Sequence, residues 1–348
     1  MSGGHAEVAC FGEALIDLVS QKSGVGLQEA PGFRKAPGGA PANVAVGVSR
    51  LGRRAAFLGA VGDDPFGTFL VQTLERHAVY TARIARTCRR TALALVSLKA
   101  DGERDFLFYG HQPAHLGLRL TNGMRALLRE ARIIHYGSIS LIGEPARQAT
   151  LSAIREAHRA NRLCSYDPNL RLNLWPDART ARRWMREGLR HADLVKVNEE
   201  ELAFLTGTYS VAQGLRALVA AGARLAVATL GANGCAYCGS MGEGKVPGFP
   251  VRAVDTTGAG DAFVAGMLVG LLEASSTPRP NLPDAVRLEA ILIFANAAAA
   301  LSTLHHGGIP SLPSRRRVLA FLRGQGINLS TVFGRRRVEA SPEAHSAV

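Results

Sequence analysis

Short apolar runs rich in valine, isoleucine and leucine alternate with longer helical stretches along most of the chain, and that order admits few architectures. The candidate strands are Val8 to Phe11, Ala55 to Val61, Ile133 to Tyr136, Leu163 to Tyr166, Leu194 to Val197 and Leu225 to Thr229. Helical stretches such as Pro41 to Leu51, Glu144 to Ala160 and Val211 to Ala221 lie between them. Strands joined through helices run parallel and need both sheet faces covered. The expected fold is therefore α/β, a doubly wound and mostly parallel sheet with helices on both faces. In that class ligands bind beyond the carboxyl ends of the strands.

Two segments interrupt the alternation, Ile16 to Phe33 and Thr91 to Tyr109. In the second, Thr91 to Leu98 and Arg104 to Tyr109 flank a turn at Ala100, Asp101 and Gly102, which reads as a small β-flap. No internal repeat or low-complexity linker divides the chain. It is read as one domain over residues 1–333 with lid segments near 16–33 and 91–109, followed by a disordered basic tail over 334–348.

Composition narrows the partners. No run approaches 18 uninterrupted apolar residues, and Met1 to Ala6 lacks a basic-then-apolar leader pattern, so the chain is read as cytoplasmic, with no membrane partner. The five cysteines are odd in number, unlike a disulfide framework, and Cys235 and Cys238 read as strand residues. The net charge of +13 comes mainly from scattered arginine, with lysine only at positions 22, 35, 99, 196 and 245. Scattered charge without interleaved aromatics argues against a specific nucleic-acid site. The triplets Arg315 to Arg317 and Arg335 to Arg337 read as solvated charge. His305 and His306 are adjacent, not a helical turn apart, and read as surface residues.

The chemistry concentrates in Val254-Asp255-Thr256-Thr257-Gly258-Ala259-Gly260-Asp261-Ala262-Phe263. This string reads as a glycine turn between a short apolar strand and an apolar helix. A helix start presents unpaired backbone N–H groups and a positive dipole end, an anion site. Gly258 and Gly260 let a phosphoryl group approach the main chain. A carboxylate directly after such a cradle would repel a bound phosphate. It makes sense where a hydroxyl lies between them and must lose its proton as it attacks.

Upstream, Pro37-Gly38-Gly39-Ala40-Pro41-Ala42-Asn43-Val44-Ala45 places a glycine pair before a helix, where a polyol can lie against the backbone and the Asn43 amide can both donate and accept. Asp63 and Asp64 read as turn residues. The chain lacks G-x-x-x-x-G-K-[ST], G-x-S-x-G and H-E-x-x-H, which removes P-loop, hydrolase and zincin readings.

Both strings closely resemble the signatures of the PfkB (ribokinase-like) carbohydrate kinases, and the resemblance runs from about Val8 to Leu312. Within that family the chain is most similar to plant-type fructokinases, through residues 36–43, 135–141 and 165–171. The resemblance implies that Asp261 is the base and that Gly258, Ala259 and Gly260 form the anion hole. Arg171, in Asp167-Pro168-Asn169-Leu170-Arg171, would lie near the transferring phosphate. Asp17, placed on the first strand, would contact the sugar with Gly38, Gly39, Asn43, Asp167 and Asn169. Asn198 and Glu201 fit an Asn-x-x-Glu pattern associated with Mg²⁺ through water. Thr229, Gly231 and Gly234 resemble a nucleotide loop, and Asn296 falls where the family lines the adenine pocket. A K⁺ site is implied at Asp255, Thr257, Ser302, Gly307 and Ser311.

One stretch departs from the pattern. Gly110 to His115 stand where such fructokinases carry Arg-Asn-Pro-Ser-Ala-Asp near the sugar, so the Arg and Asp are missing and weaker sugar contact is expected. The expected activity is phosphorylation of fructose at its 6-hydroxyl by ATP, with Mg²⁺ and K⁺. The alternatives are a kinase for ribose or 2-keto-3-deoxygluconate, or a non-catalytic binding or scaffold relative. The flap could also pair with a second copy to form a homodimer.

Overall fold

The strands, in chain order, are β1 (Val8–Gly12), β2 (Leu15–Ser20), β3 (Phe33–Gly38), β4 (Ala55–Gly62), β5 (Ala85–Thr87), β6 (Leu93–Leu98), β7 (Arg104–Tyr109), β8 (Ile133–Tyr136), β9 (Leu163–Tyr166), β10 (Leu194–Asn198), β11 (Leu225–Thr229), β12 (Cys235–Gly239) and β13 (Gly242–Val246). This computed structural model describes residues 6–98, 104–110 and 112–329. The expected turn at 100–102, His111 and the basic tail lie outside the described residues.

Nine strands form the main sheet in the order β13-β12-β11-β10-β9-β8-β1-β4-β5. The pairs from β5 to β11 are parallel, and β12 and β13 add an antiparallel edge carrying Cys235 and Cys238. The chain builds outward from β1 through β4 to β5 and then returns to β8 on the other side of β1. Connections leaving β1 and β8 therefore diverge, which opens a crevice at their carboxyl ends.

Alternation along β1 divides the core. Val8 and Cys10 face one layer, with the helices Ala40–Arg50, Ala259–Ala274 and Ala285–Ser302. Ala9 and Phe11 face the other, with the helices Asn122–Glu130, Ala146–Arg159 and Ala178–Leu189. The helix Ala285–Ser302 is long and apolar enough by composition to cross a membrane. Here it packs against Ala259–Ala274, where glycine permits a close crossing. A Cβ on Gly266 would lie 2.8 Å from Ala295 Cα, and one on Gly270 2.5 Å from Ile291 Cγ2.

The two interrupting segments meet in one four-stranded lid sheet, β3-β2-β6-β7. The lid is larger than expected, because β3 carries it from Phe33 on to Gly38 by antiparallel pairing with β2. That pairing is non-local, and the sequence of β3 (Phe-Arg-Lys-Ala-Pro-Gly) has little strand periodicity of its own. The expected apolar strand before the glycine turn is absent: residues 247–258 contain none. Val254 is half exposed, and the N–H groups of Val254 and Asp255 donate to Thr303 O at the end of a helix, so this segment hangs from a helix terminus and not from the sheet.

Candidate active site beneath the lid

A cavity of about 1210 Å³ lies between the lid and the carboxyl ends of the main-sheet strands. Its lining includes Asp17, Gly39, Asn43, Asp167, Asn169, Arg171, Glu201, Asp255, Thr257, Gly258, Gly260 and Asp261 from the residues expected to act together.

The helix Ala259–Ala274 begins at Gly258, which has φ 80° and provides no side-chain cap. The N–H groups of its first turn thus have no intrahelical acceptor, and that of Ala259 donates to Thr256 O, outside the helix, at 3.2 Å. Asp261 is buried in that turn and accepts a 2.8 Å hydrogen bond at Oδ2 from Asn43 Nδ2, 218 positions away in the chain. Burial, reinforced by the charge of Asp167, raises the Asp261 pKa to about 7 against the opposing pull of Asn43, Lys196 and Arg171. A carboxylate poised there can take a proton near neutrality.

Asp17 sits on β2 in the lid, not on the first strand where the resemblance placed it. Two residues, Glu13 and Ala14, separate β1 from β2 and carry the chain out of the main sheet before Asp17 is reached. Gly38 makes room for it: a Cβ on Gly38 would lie within 2.2 Å of Asp17 Oδ2. Gly39, at φ 103°, brings the backbone against Glu13 and starts the helix that carries Asn43.

On the opposite wall, Asp167 Oδ1 accepts from Asn169 N–H, and its Oδ2 pairs with Lys196 Nζ at 3.0 Å. Arg171 Nη1 donates to Leu170 O. Asn198 and Glu201 form a reciprocal capping box at the helix Glu199–Thr206. Glu201 Oε2 accepts from Asn198 N–H and Oε1 from Leu170 N–H, so the pattern that suggested metal chemistry also builds the wall. Burial raises the Glu201 pKa, with Lys196 opposing.

Thr229, Gly231, Gly234 and Asn296 gather elsewhere, away from the cavity lining. Asn296 Nδ2 donates to Val246 O and Pro247 O, and Gly234 packs so closely that a Cβ would lie 2.2 Å from Val246 O. Of the K⁺ set, Asp255 Oδ1 accepts from Thr257 N–H and Oγ1, and its Oδ2 accepts from Gly307 N–H. Ser302 and Ser311 instead donate to Ala299 O and Gly308 O and do not line the cavity. Asp64 caps the helix Pro65–Arg76, the turn role expected for it. His305 and His306 are exposed as expected, although His306 reaches the cavity mouth.

Glu13 and Lys196 are among the lining residues without an expected role. Glu13 is buried, accepts from Ala40 N–H through Oε1, and has a pKa raised to about 8, first by burial. Lys196 is buried at the end of the main sheet. A lysine inside the apolar run Leu194-Val195-Lys196-Val197 was the one signal available for it.

The model of the pfkB family of carbohydrate kinases matches residues 5–315. Fructokinase-1 of Zea mays is 46% identical over 92% of this chain and 99% of its own length. Fructokinase-2 of Solanum lycopersicum is 45% identical over 91% and 96%. A structure of fructokinase with bound ATP from Xylella fastidiosa superposes with a TM-score of 0.84 at 35% identity, covering 92% of this chain and 98% of that one. A fructokinase from Vibrio cholerae O395, in its fructose-, ADP- and calcium-bound form, gives 0.80 at 34%, covering 91% and 99%. With a buried carboxylate in the first turn of a glycine-led helix, and a match from residue 5 to residue 315, the chain belongs to the pfkB family of carbohydrate kinases.

Proposed function

We propose that this chain is a fructokinase, transferring the γ-phosphoryl group of ATP to the 6-hydroxyl of fructose. The observation that carries the reading is Asp261: a buried carboxylate with a pKa near 7, one residue beyond Gly260, held by Asn43 and facing the cavity. The carboxylate takes the hydroxyl proton, the O6–P bond forms, and the bond from the γ-phosphorus to the leaving oxygen of ADP breaks. Free N–H groups at the helix start hold the charge on the phosphoryl oxygens. Asp17, Gly39 and Asn43 orient the sugar under the lid. The fructokinase names of the relatives, and fructose in the related structure, favour this sugar over ribose or 2-keto-3-deoxygluconate.

Mg²⁺, when bound, would neutralise charge on the phosphoryl groups, and Asn198 and Glu201 are the residues that would hold it. Both Glu201 oxygens already accept backbone N–H bonds, which fits contact through the cation's water shell better than direct ligation. Asp255, Thr257 and Gly307, joined through the Asp255 carboxylate, are the residues of the set that would hold K⁺. The reading places the enzyme in the cytoplasm. Edge strand β7, with Leu107 and Tyr109 exposed, is the surface through which the lid would pair with a second copy.

Coupled measurement of ADP release against a panel of sugars tests the assignment. Fructose should give the highest kcat/KM, and preference for another sugar would overturn it.

The departure at 110–115 has a different consequence in the structure. Phe108 lines the cavity, whereas Gly110 and His115 do not. Gly110 is exposed at φ 120°, and His115 is buried, its pKa lowered to about 4 by burial. Gly110→Arg combined with His115→Asp is therefore expected to leave the fructose KM within about twofold and to lower the melting temperature, since a buried, unpaired carboxylate is costly. A lower fructose KM would return the stretch to the sugar site.

A further inference from the structure

Lys196 is a charged residue in an apolar strand, with its side chain only 7% exposed. Such a group persists where it is paired, and Asp167 Oδ2 takes one of its three N–H donors at 3.0 Å. The ammonium has no second hydrogen-bond acceptor among the described residues. The ion pair also sets its direction. Nζ lies 2.9 Å from the place a Cβ would occupy on Gly260, so it stands directly over the second glycine of the anion cradle. A larger residue at 260 would push it away.

Burial alone would lower the Lys196 pKa, but Asp167, Glu201 and Asp261 outweigh that effect and raise it, so the group is cationic wherever the enzyme works. Arg171, the cation expected at the phosphate, also lines the cavity, with one guanidinium N–H committed to Leu170 O.

From this placement we infer that Lys196 is a phosphoryl-binding catalytic residue: its two remaining N–H donors meet the oxygens of the group in transfer, opposite the N–H groups of the helix start. Asp167 serves as the strut that holds the ammonium over Gly260. The cation gains most where negative charge lies between donor and acceptor oxygens, so it acts on kcat more than on sugar binding. The inference rests on phosphoryl transfer from ATP, not on fructose as the acceptor.

The test is Lys196→Gln, which keeps an N–H donor for Asp167 and removes the charge, with Lys196→Arg as the charge-preserving companion. Lys196→Gln is expected to lower kcat about 30- to 100-fold, to leave the sugar KM within about threefold, and to weaken ADP–aluminium fluoride binding far more than ADP binding. Lys196→Arg should recover part of the lost kcat. A folded Lys196→Gln enzyme with kcat within about threefold of wild type would overturn the inference. So would equal weakening of ADP and ADP–aluminium fluoride. If Lys196→Gln does not fold, Lys196→Arg decides on the same ratio of affinities: a ratio below wild type supports the contact, and an unchanged one overturns it. Wild-type turnover on the sugar panel is scored separately, so a wrong sugar and a wrong role for Lys196 give different results.

Discussion

Asp261→Asn is expected to lower kcat by about 10²–10⁴-fold, the usual contribution of a positioned general base, while sugar and ATP still bind. Asn preserves the shape and an acceptor for the Asn43 amide, so the loss isolates proton transfer. In the wild type, kcat/KM should fall on the acid side with a limb near pH 7, because Asp261 must be ionised to act and its pKa is raised to about 7 from 3.8. The same shift governs stability. The folded state keeps this proton up to about pH 7, whereas the unfolded chain loses it near 3.8. Stabilisation from the protonated form is therefore complete below 3.8 and lost as pH rises through 7. The loss is on the order of 4 kcal/mol by the usual conversion. Asp261→Asn should thus melt with wild type near pH 4 and well above it at pH 8. Thermal scans across that range check the sign, and a variant equally stable or less stable at pH 8 would show that the buried charge costs nothing. Wild-type-like turnover by the variant would remove Asp261 from the base role.

Gly39→Ala is expected to be the most damaging of the single glycine changes at the site. Its backbone holds φ 103°, and an added Cβ would lie 2.5 Å from Glu13 O and 2.8 Å from Ala14 Cα. These are main-chain atoms in the short turn between β1 and β2, flanked by two sheets, and they cannot swing aside as a side chain could. Strain and overpacking together should cost roughly 3–5 kcal/mol, or roughly 5–10 °C of melting temperature in a chain of this size. Kinase activity should fall as well, because the helix carrying Asn43 starts here. Gly207→Ala is the control: φ is 81° but nothing lies within 4 Å of the added carbon, so only the backbone cost of about 1 kcal/mol applies. Equal losses in the two variants would mean that conformation alone, and not the contact with Glu13, makes Gly39 necessary.

Local signals made most of the fold legible. Short apolar runs set between helical stretches located six main-sheet strands from β1 to β11, because such runs and helical patterns depend on neighbours a few positions apart. Turn chemistry was equally readable. Gly258 and Gly260 announced a helix start with the Asp261 carboxylate beside it, whereas Asn198 and Glu201 were read only through a metal resemblance and the helix cap they form went unread. β3 was not readable, since it owes its existence to pairing with β2 and not to its own pattern.

The active constellation came from contacts that no local window contains. Asn43 reaches Asp261 across 218 positions, and Lys196 reaches Asp167 across 29. Asp17 was read as an acidic group for the sugar, but only the tertiary structure put it in the lid and showed that Gly38 leaves room for its carboxylate. Sequence alone determined which residues could do chemistry, because residue type and turn geometry are local properties. The structure decided which of them meet, because burial and long-range packing raise the pKa of Asp261 to about 7 and hold the ammonium of an isolated strand lysine over Gly260.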